Sequence, residues 1–500
     1  MLYESTRGSL NKLTGAQAVI RGIAEDKGLY VPEDMPELPF RPEDMVDKTY
    51  REIALEVLIT FFDDFSREDM EHCVNSAYDE KFTASDICEI NQAGGAHFLE
   101  LYHGKTAAFK DMALSILPYL LTTSLKMEGI TDRVLILTAT SGDTGKAALE
   151  GFAGVPGTGI MVFYPDGGVS QLQRAQMVTQ TGDNVKVYAV KGNFDDCQTN
   201  VKKIFNDEAI RAELKEKNVI FSSANSINVG RLVPQVAYYV YSYVKLIERG
   251  VIKAGDPINV AVPTGNFGNI LAAYFADQMG IPINRFICAS NENKVLTDFL
   301  RTGLYDIRPE VRGFKLTNSP SMDILVSSNL ERLLYLMSGR DQELVNDWMT
   351  SLETLKFYTV MDSEPLMEGL KRFYAGYATE EETLTKIGET WKNEHFLMDT
   401  HTAVCKKVYD DYVSETGDTT PTVICSTASA YKFPQTVGEA IGCPETESGF
   451  DALEELNKKT GVSVPYGLRD LDKKEVRHKE VISIGDMEEK VRAYLNYRKA

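Results

Sequence analysis

A lysine set among small and apolar residues is the first candidate for chemistry. Residues 101–114 read L-Y-H-G-K-T-A-A-F-K-D-M-A-L, with Lys110 in the first turns of a predicted helix. Ala107, Ala108, Phe109, Met112, Ala113 and Leu114 surround it in sequence. Removing an ammonium from water disfavours its charged form, lowers the lysine pKa and frees a nucleophilic amine. A Schiff-base lysine needs that amine. A lysine lying along an amphipathic helix with its head in solvent gives the same local pattern, so the other glycine-rich stretches carry the argument.

Three further stretches have the composition of anion sites. Ser141, Gly142, Asp143, Thr144 and Gly145 form S-G-D-T-G, joining an apolar run to a predicted helix. Glycines there allow a tight turn that exposes amides at a helix N-terminus, a place for a carboxylate or phosphate. A capped helix start with Asp143 as a local hydrogen-bonder reads the same way. A Walker A loop is excluded, because its spacing places glycine where this chain has Thr140. Gly154, Gly157 and Gly159 run in the wrong order for a dinucleotide fingerprint and read as an ordinary loop. Residues 262–269, V-P-T-G-N-F-G-N, again close a strand on glycines and open a helix. Successive N–H groups there have room to surround a phosphate, with the helix dipole behind them. Residues 225–231, N-S-I-N-V-G-R, place Asn, Ser and Arg just before a helix, either as an anion clamp or as a capping segment.

These stretches need a scaffold, and the hydrophobic pattern supplies one. Short apolar strands are expected at 98–102, 134–137, 160–164, 185–190, 219–222, 258–262 and 286–289. Helices are expected at 146–152, 171–181, 195–216, 233–249 and 269–279. Strand alternating with helix predicts a parallel sheet covered on both faces, with ligands beyond the carboxyl ends of the strands. All the glycine-rich stretches fall at such ends. One lysine with three oxyanion sites in one α/β body suits a pyridoxal-phosphate enzyme better than a nucleotide binder, because the protein then supplies orientation and electrostatics to the cofactor ring.

Composition bounds the rest. Five hundred residues call for two or three domains. A net charge of −20 argues against a nucleic-acid or anionic-membrane partner, so any anionic substrate needs a local basic or amide-lined pocket. No window reaches the length of a membrane span. Seven scattered cysteines without a C-x-x-C pair suit reduced thiols in a cytoplasmic protein. Six histidines without ligand spacing give no expectation of a metal.

Residues 1–95 read as a small helical section without chemistry, with helices at 48–62 and 67–78. Residues 96–450 form the expected catalytic body, with a smaller lobe at about 133–255, and 451–500 the C-terminal helices. Residues 299–325 read as a mobile loop near the cleft, and 351–394 as a charged helical outer layer. Helices are expected at 451–459 and 487–499. His401 either lines the site or is a hydrogen-bonded structural histidine.

The motifs in order resemble the threonine synthase family. H-G-K-T-A-A-F-K-D is similar to the family's H-G-P-T-x-A-F-K-D signature, and Y-E-S-T-R-G, D-K-G-L-Y-V-P-E, T-S-G-D-T-G, N-S-I-N-V-G-R, P-T-G-N-F-G-N and S-T-A-S-A-Y-K-F follow along the chain. The resemblance implies fold type II: two open, mostly parallel-sheet domains with pyridoxal 5'-phosphate in the cleft, plus a small N-terminal section. It implies conversion of O-phospho-L-homoserine and water to L-threonine and phosphate by a monomer or homodimer. The alternatives on this scaffold are a phospholyase releasing 2-oxobutyrate and phosphate, and a non-catalytic binding relative.

By the same resemblance Lys110 is the Schiff-base lysine and acid/base group. Gly265, Asn266, Phe267, Gly268 and Asn269 hold the cofactor phosphate, Thr427 its pyridine nitrogen and Asp143 its phenolic oxygen. Ser141, Gly142 and Thr144 hold the substrate carboxylate, and Asn225, Ser226 and Arg231 its phosphate. Three departures stand out. Lys105 replaces proline and either adds a cation near that phosphate or faces solvent. Ser429, Ala430 and Tyr431 replace His-Pro-Ala, altering the expected wall near the ring nitrogen. Val229 and Gly230 replace Trp-Ala, which is expected to loosen that loop.

Overall fold

The alternation of strand and helix resolves into two sheets in the computed structural model, which describes residues 1–496. The larger sheet has six strands in the order Phe373–Tyr377, Ile283–Ser290, Ile258–Pro263, Thr422–Ser426, Ala96–Glu100 and Glu89–Ala93. All neighbours are parallel except the last pair. That pair is a hairpin closed by Gly94 and Gly95, both at positive φ, the conformation a two-residue turn needs to match strand twist. The smaller sheet has five parallel strands in the order Val481–Ser483, Val185–Lys191, Thr158–Pro165, Arg133–Ala139 and Val219–Ser222.

Burial on both faces explains why the strands read as continuous apolar runs rather than alternating ones. Every residue of Ile258–Pro263 and of Thr158–Pro165 is buried. Helices cover the sheets. Gly268–Gln278 and Pro234–Glu248 pack against one another, and the latter also against Tyr50–Phe61 of the N-terminal section. Thr49 and Glu52 close a capping box on that last helix, each satisfying an N–H at its start.

Four expectations change against this architecture. The helix expected over 195–216 is two helices, Phe194–Asn206 and Glu208–Glu216. Asp207 sits between them in extended backbone, and its carboxylate accepts from the Ile210 N–H, capping the second helix instead of continuing the first. The 351–394 region is not only an outer helical layer: Phe373–Tyr377 is the edge strand of the large sheet. The opening section ends earlier than expected, because Glu89–Ala93 already belongs to that sheet. The C-terminal region adds a strand, Val481–Ser483, to the smaller sheet, alongside the helices Gly449–Thr460 and Met487–Asn496. The end of the helix expected over 487–499 lies outside the described residues.

Among the described residues no helix is long and apolar enough to cross a membrane. The seven cysteines are free thiols, and all but Cys443 are buried.

Candidate active site

Lys110 is the first residue of a five-residue helix, Lys110–Leu114, that follows the strand Ala96–Glu100. Its approach is stitched to the turn after the strand Thr422–Ser426. Phe109 N–H donates to the Thr427 carbonyl at 2.8 Å, and Ser429 N–H donates to the Ala107 carbonyl at 3.1 Å. Ala107 takes φ 56°, an αL conformation that costs a residue with a Cβ on the order of 1 kcal/mol. The H-G-K-T segment is fixed by the residue after the lysine. Asp111 accepts from Thr106 N–H at 2.8 Å and from Thr106 Oγ1 at 2.7 Å. A Cβ on Gly104 would lie 2.4 Å from that carboxylate, so only glycine fits there.

Burial lowers the Lys110 pKa; Asp143 opposes the shift, and the nearby cations Lys432 and Arg231 add to it. Lys110 Nζ donates to Ser321 Oγ at 3.1 Å and stands 3.8 Å from Asp143 Oδ2. Burial would raise the Asp143 carboxyl, but Lys432 and Lys110 more than offset it and hold it well below the usual carboxylate range. Lys432 Nζ lies 2.8 Å from Asp143 Oδ1 and also donates to the Thr106 carbonyl at 3.0 Å. Gln173 Nε2 donates to the same Asp143 oxygen at 3.0 Å. Asp143 is therefore an ionised group already neutralised by a buried lysine.

The S-G-D-T-G stretch links the strand Arg133–Ala139 to the helix Asp143–Phe152. Thr140 Oγ1 accepts from the N–H groups of Gly142 and Gly145, and Gly142 takes φ 145°, where a Cβ would strike the Gln173 carboxamide. Ser141 is exposed, and Thr144 is half-buried.

The second glycine loop joins the strand Ile258–Pro263 to the helix Gly268–Gln278. Phe267 takes φ 64° at the helix start, with its ring buried, so it offers backbone rather than side chain. A Cβ on Gly265 would sit 2.6 Å from the Ser321 carbonyl oxygen. The loop is braced through its carbonyls: Ser327 Oγ donates to Gly265 O at 2.8 Å, and Asn329 Nδ2 to Asn266 O at 3.0 Å. The side chain of Asn269 is engaged behind the loop. Its Oδ1 accepts from Tyr238 and Tyr239, committing the carboxamide to the helix behind, while its Nδ2 is buried without a partner.

Arg231, in the short helix Val229–Leu232, is 5% exposed and has no carboxylate partner among the described residues. Nη1 donates to the Ala224 carbonyl at 2.7 Å, Nε is buried without a partner, and burial lowers the pKa to about 10. The other two residues expected in that clamp are bonded to one another within their own turn. Asn225 is exposed, and its Oδ1 accepts from Ser226 Oγ and Ile227 N–H within its own turn. The departure at 229–230 tightens this loop instead of loosening it. Val229 is fully buried, and Gly230 packs where a Cβ would come within 2.9 Å of Leu117.

Lys105 pairs with Glu150 at 3.1 Å on the helix after the first glycine loop. Tyr431 is buried toward the C-terminal region, donating to the Val462 carbonyl. Glu89, Glu100 and His103 bring ligand-type atoms within 4.8 Å of one another, a grouping that histidine spacing gave no sign of.

Several residues at the site went unassigned from sequence. Lys432 lies in A-Y-K-F-P, a lysine in apolar surroundings like Lys110, and that signal was available. Arg332 had none. Fully buried, it donates to the Tyr30 carbonyl at 2.9 Å, to the Ile227 carbonyl and to Asn329 Oδ1. It thereby ties the N-terminal section to the Arg231 loop and to the brace of the second glycine loop. Glu331 beside it takes a two-point contact from Arg7, at 2.9 and 2.8 Å. The opening section is thus tied to the loops that carry Arg231 and the second glycine stretch.

Two mostly parallel sheets with a buried lysine and glycine loops at their carboxyl ends define the fold-type-II class. Residues 2–78 match the family described as "Threonine synthase N terminus", and residues 402–482 that described as "Threonine synthase, C-terminal". Threonine synthase of Schizosaccharomyces pombe is 36% identical over 468 residues, covering 88% of this chain and 89% of that protein. Human threonine synthase-like 1 is 40% identical over 442 residues, covering 86% of this chain; the match spans 58% of that protein's length. The crystal structure of pyridoxal-phosphate-bound threonine synthase from Brucella melitensis superposes with a TM-score of 0.87 at 35% identity, covering 99% of this chain and 100% of that one. The chain belongs to the threonine synthase family.

Proposed function

We propose that this chain uses pyridoxal 5'-phosphate to convert O-phospho-L-homoserine and water into L-threonine and phosphate, the last step of threonine biosynthesis. The observation that carries the reading is Arg231, a buried guanidinium without a carboxylate partner, within electrostatic reach of the Lys110 amine. A buried cation left unpaired costs stability, and an incoming anion removes that cost. A phosphorylated substrate meets that need.

The residues fit the cofactor. Lys110 offers a buried amine whose charged form is disfavoured, suited to hold an aldehyde. The loop at Gly265, Asn266, Phe267 and Gly268 opens a helix, whose first N–H groups suit a phosphate. Thr427 offers a hydroxyl to the ring nitrogen. When bound, the ring serves as a sink for the electron pair left by proton removal.

This chain's own groups then divide the work. Lys110 Nζ takes and returns the substrate protons, because burial keeps its neutral form accessible. Asp143 does not compete as a base, since its pair with Lys432 lowers its affinity for a proton. Ser141, Gly142 and Thr144 hold the substrate carboxylate at a helix N-terminus. Arg231, with Asn225 and Ser226 on the rim, holds the departing phosphate. Incubation with cofactor and O-phospho-L-homoserine, quantifying phosphate, threonine and 2-oxobutyrate, tests the reading. Phosphate matched by threonine supports it. Phosphate matched by 2-oxobutyrate makes the chain a phospholyase, and no phosphate removes the substrate assignment.

A further inference from the structure

We infer that Ser321 is the positioning hydroxyl for the Lys110 amine, and that a buried Asp399–His401 pair holds Ser321 in place. The inference rests on the proposed role of Lys110 as the reactive amine and adds two residues that aim it. Ser321 is the middle residue of the short turn Pro320–Met322, within the region that sequence reads as a mobile loop. Two polar groups of Ser321 are hydrogen-bonded, and its carbonyl lies against the second glycine loop. Its hydroxyl accepts from Lys110 Nζ at 3.1 Å, and its N–H donates to His401 Nε2 at 3.1 Å. Its carbonyl oxygen occupies the space that a Cβ on Gly265 would need.

The turn is strapped on both sides. Asp323 accepts from Thr317 N–H at 2.9 Å, Asn291 Nδ2 at 2.8 Å and Asn293 Nδ2 at 3.0 Å, anchoring the segment to the end of the strand Ile283–Ser290. One short turn therefore meets the reactive amine, the second glycine loop and a buried histidine.

The bond from Ser321 N–H assigns the histidine. An Nε2 that accepts from a backbone N–H carries no proton, so the ring proton lies on Nδ1. Nδ1 stands 2.6 Å from Asp399 Oδ2. Asp399 is fully buried and caps the helix Thr400–Thr416, accepting from His401 N–H at 3.0 Å and from Thr402 N–H at 3.1 Å. A carboxylate at a helix N-terminus with these donors is rigidly placed, so the ring is fixed and the Ser321 amide with it. Donation in the opposite sense, from a protonated Nε2, would set two N–H groups against each other.

A hydroxyl suits this position where a carboxylate would not. Asp143 favours the ammonium form of Lys110, while Lys432 and Arg231 disfavour it, with Asp111 a further carboxylate in reach. Ser321 is the neutral member of the set and can accept from the ammonium or donate to the free amine. It aims Nζ without a net charge of its own. Because charge-assisted hydrogen bonds are about twice as strong as neutral ones, deleting the hydroxyl removes more from the ammonium than from the amine. The Lys110 pKa should then fall further.

The test reads that amine directly in the full cofactor-free chain. Competitive acylation with acetic anhydride across a pH series, followed by peptide mass measurement, gives the midpoint at which Lys110 becomes reactive. Ser321→Ala should move the midpoint down by about half a unit or more, roughly a threefold change in free amine at fixed pH. His401→Leu should produce the same shift, and the double variant no more than Ser321→Ala alone, because His401 acts only through Ser321. His401→Gln, whose carboxamide oxygen can accept the Ser321 N–H, should stay near wild type. An unchanged midpoint in Ser321→Ala overturns the inference, and an additive double variant overturns the part assigned to His401. Should His401→Leu fail to fold, Ser321→Ala, which deletes a single oxygen, still decides the first part, and His401→Gln decides the second. Failure of the wild type to capture pyridoxal phosphate would sink the proposed function but leave this measurement standing, since acylation needs no cofactor.

Discussion

Two buried cations flank Lys110, and the fold treats them in opposite ways. Lys432 is closed off: a carboxylate at 2.8 Å and a carbonyl at 3.0 Å satisfy it. Arg231 is left open, with one carbonyl bond and an orphaned Nε. The Lys432 side is wired chiefly by side chains, through Asp143 and Gln173. The Arg231 side is braced by backbone, with Arg332 holding the Ile227 carbonyl and Asn228 Nδ2 donating to the Val19 carbonyl at 3.0 Å. One region thus has its electrostatics complete before any ligand arrives, whereas the other is held rigid with a charge unspent. Stability is concentrated in the first and binding capacity in the second.

The largest effect separates Lys110 from both. Lys110→Ala should abolish borohydride-trapped attachment of pyridoxal phosphate, read as loss of the adduct mass, whereas loss of either neighbouring cation should leave the attachment present. An adduct retained in Lys110→Ala would falsify the assignment of the reactive amine.

Breaking the closed pair comes next. Asp143→Asn removes the charge that Lys432 was buried against, and orphaning one partner of a buried pair costs about 3–5 kcal/mol. Chemical denaturation should show that loss. A stability change under about 1 kcal/mol would mean that Lys432 is solvated in solution and that the two cations are not different after all.

Arg231→Met sharpens the contrast by reversing the sign. Removing an unpaired buried cation should raise stability by about 1 kcal/mol, while substrate affinity should fall by about 2–5 kcal/mol. Denaturation and equilibrium substrate binding on the same preparation check both halves. Lost stability with unchanged affinity would make Arg231 a structural residue.

How much of this was legible in the sequence follows the range of each contact. Lys110 and the glycine loops were visible as candidates because they sit in runs of five to eight residues at strand ends, where local spacing carries meaning. Arg231 was singled out as a clamp, rather than part of a capping segment, only through the family resemblance. The parallel sheets were readable from short continuous apolar runs separated by helical stretches. Partners were not. Lys110 meets Ser321 across 211 positions, and Lys432 meets Thr106 across 326. Arg332 reaches Tyr30 across 302. Local pattern does not encode such pairings. The strand Phe373–Tyr377 was lost for another reason: its neighbours on both sides are charged helices, and Gly376 interrupts its five-residue run, so the short window gives no clear strand signal.

The smallest effect tests whether side-chain wiring extends outward from the first glycine loop. Glu150 lies one helix turn beyond Lys146 and accepts from it at 3.0 Å, while Lys105 approaches at 3.1 Å from the H-G-K-T segment. Burial would raise the Glu150 carboxyl, but the two lysines override it and hold the pKa at about 2. A carboxylate whose folded pKa is depressed stabilises the fold above its unfolded value and loses that contribution as pH falls through the folded one. The wild type should therefore lose about 2 kcal/mol from this group between roughly pH 4.5 and pH 2. Glu150→Gln should start lower at neutral pH and show a correspondingly shallower acid limb. Unfolding measured across that range reads the difference in slope. Parallel acid limbs in the two proteins would confine the side-chain wiring to Asp143 and Lys432, and would make Lys105 a surface cation with no part in holding the loop.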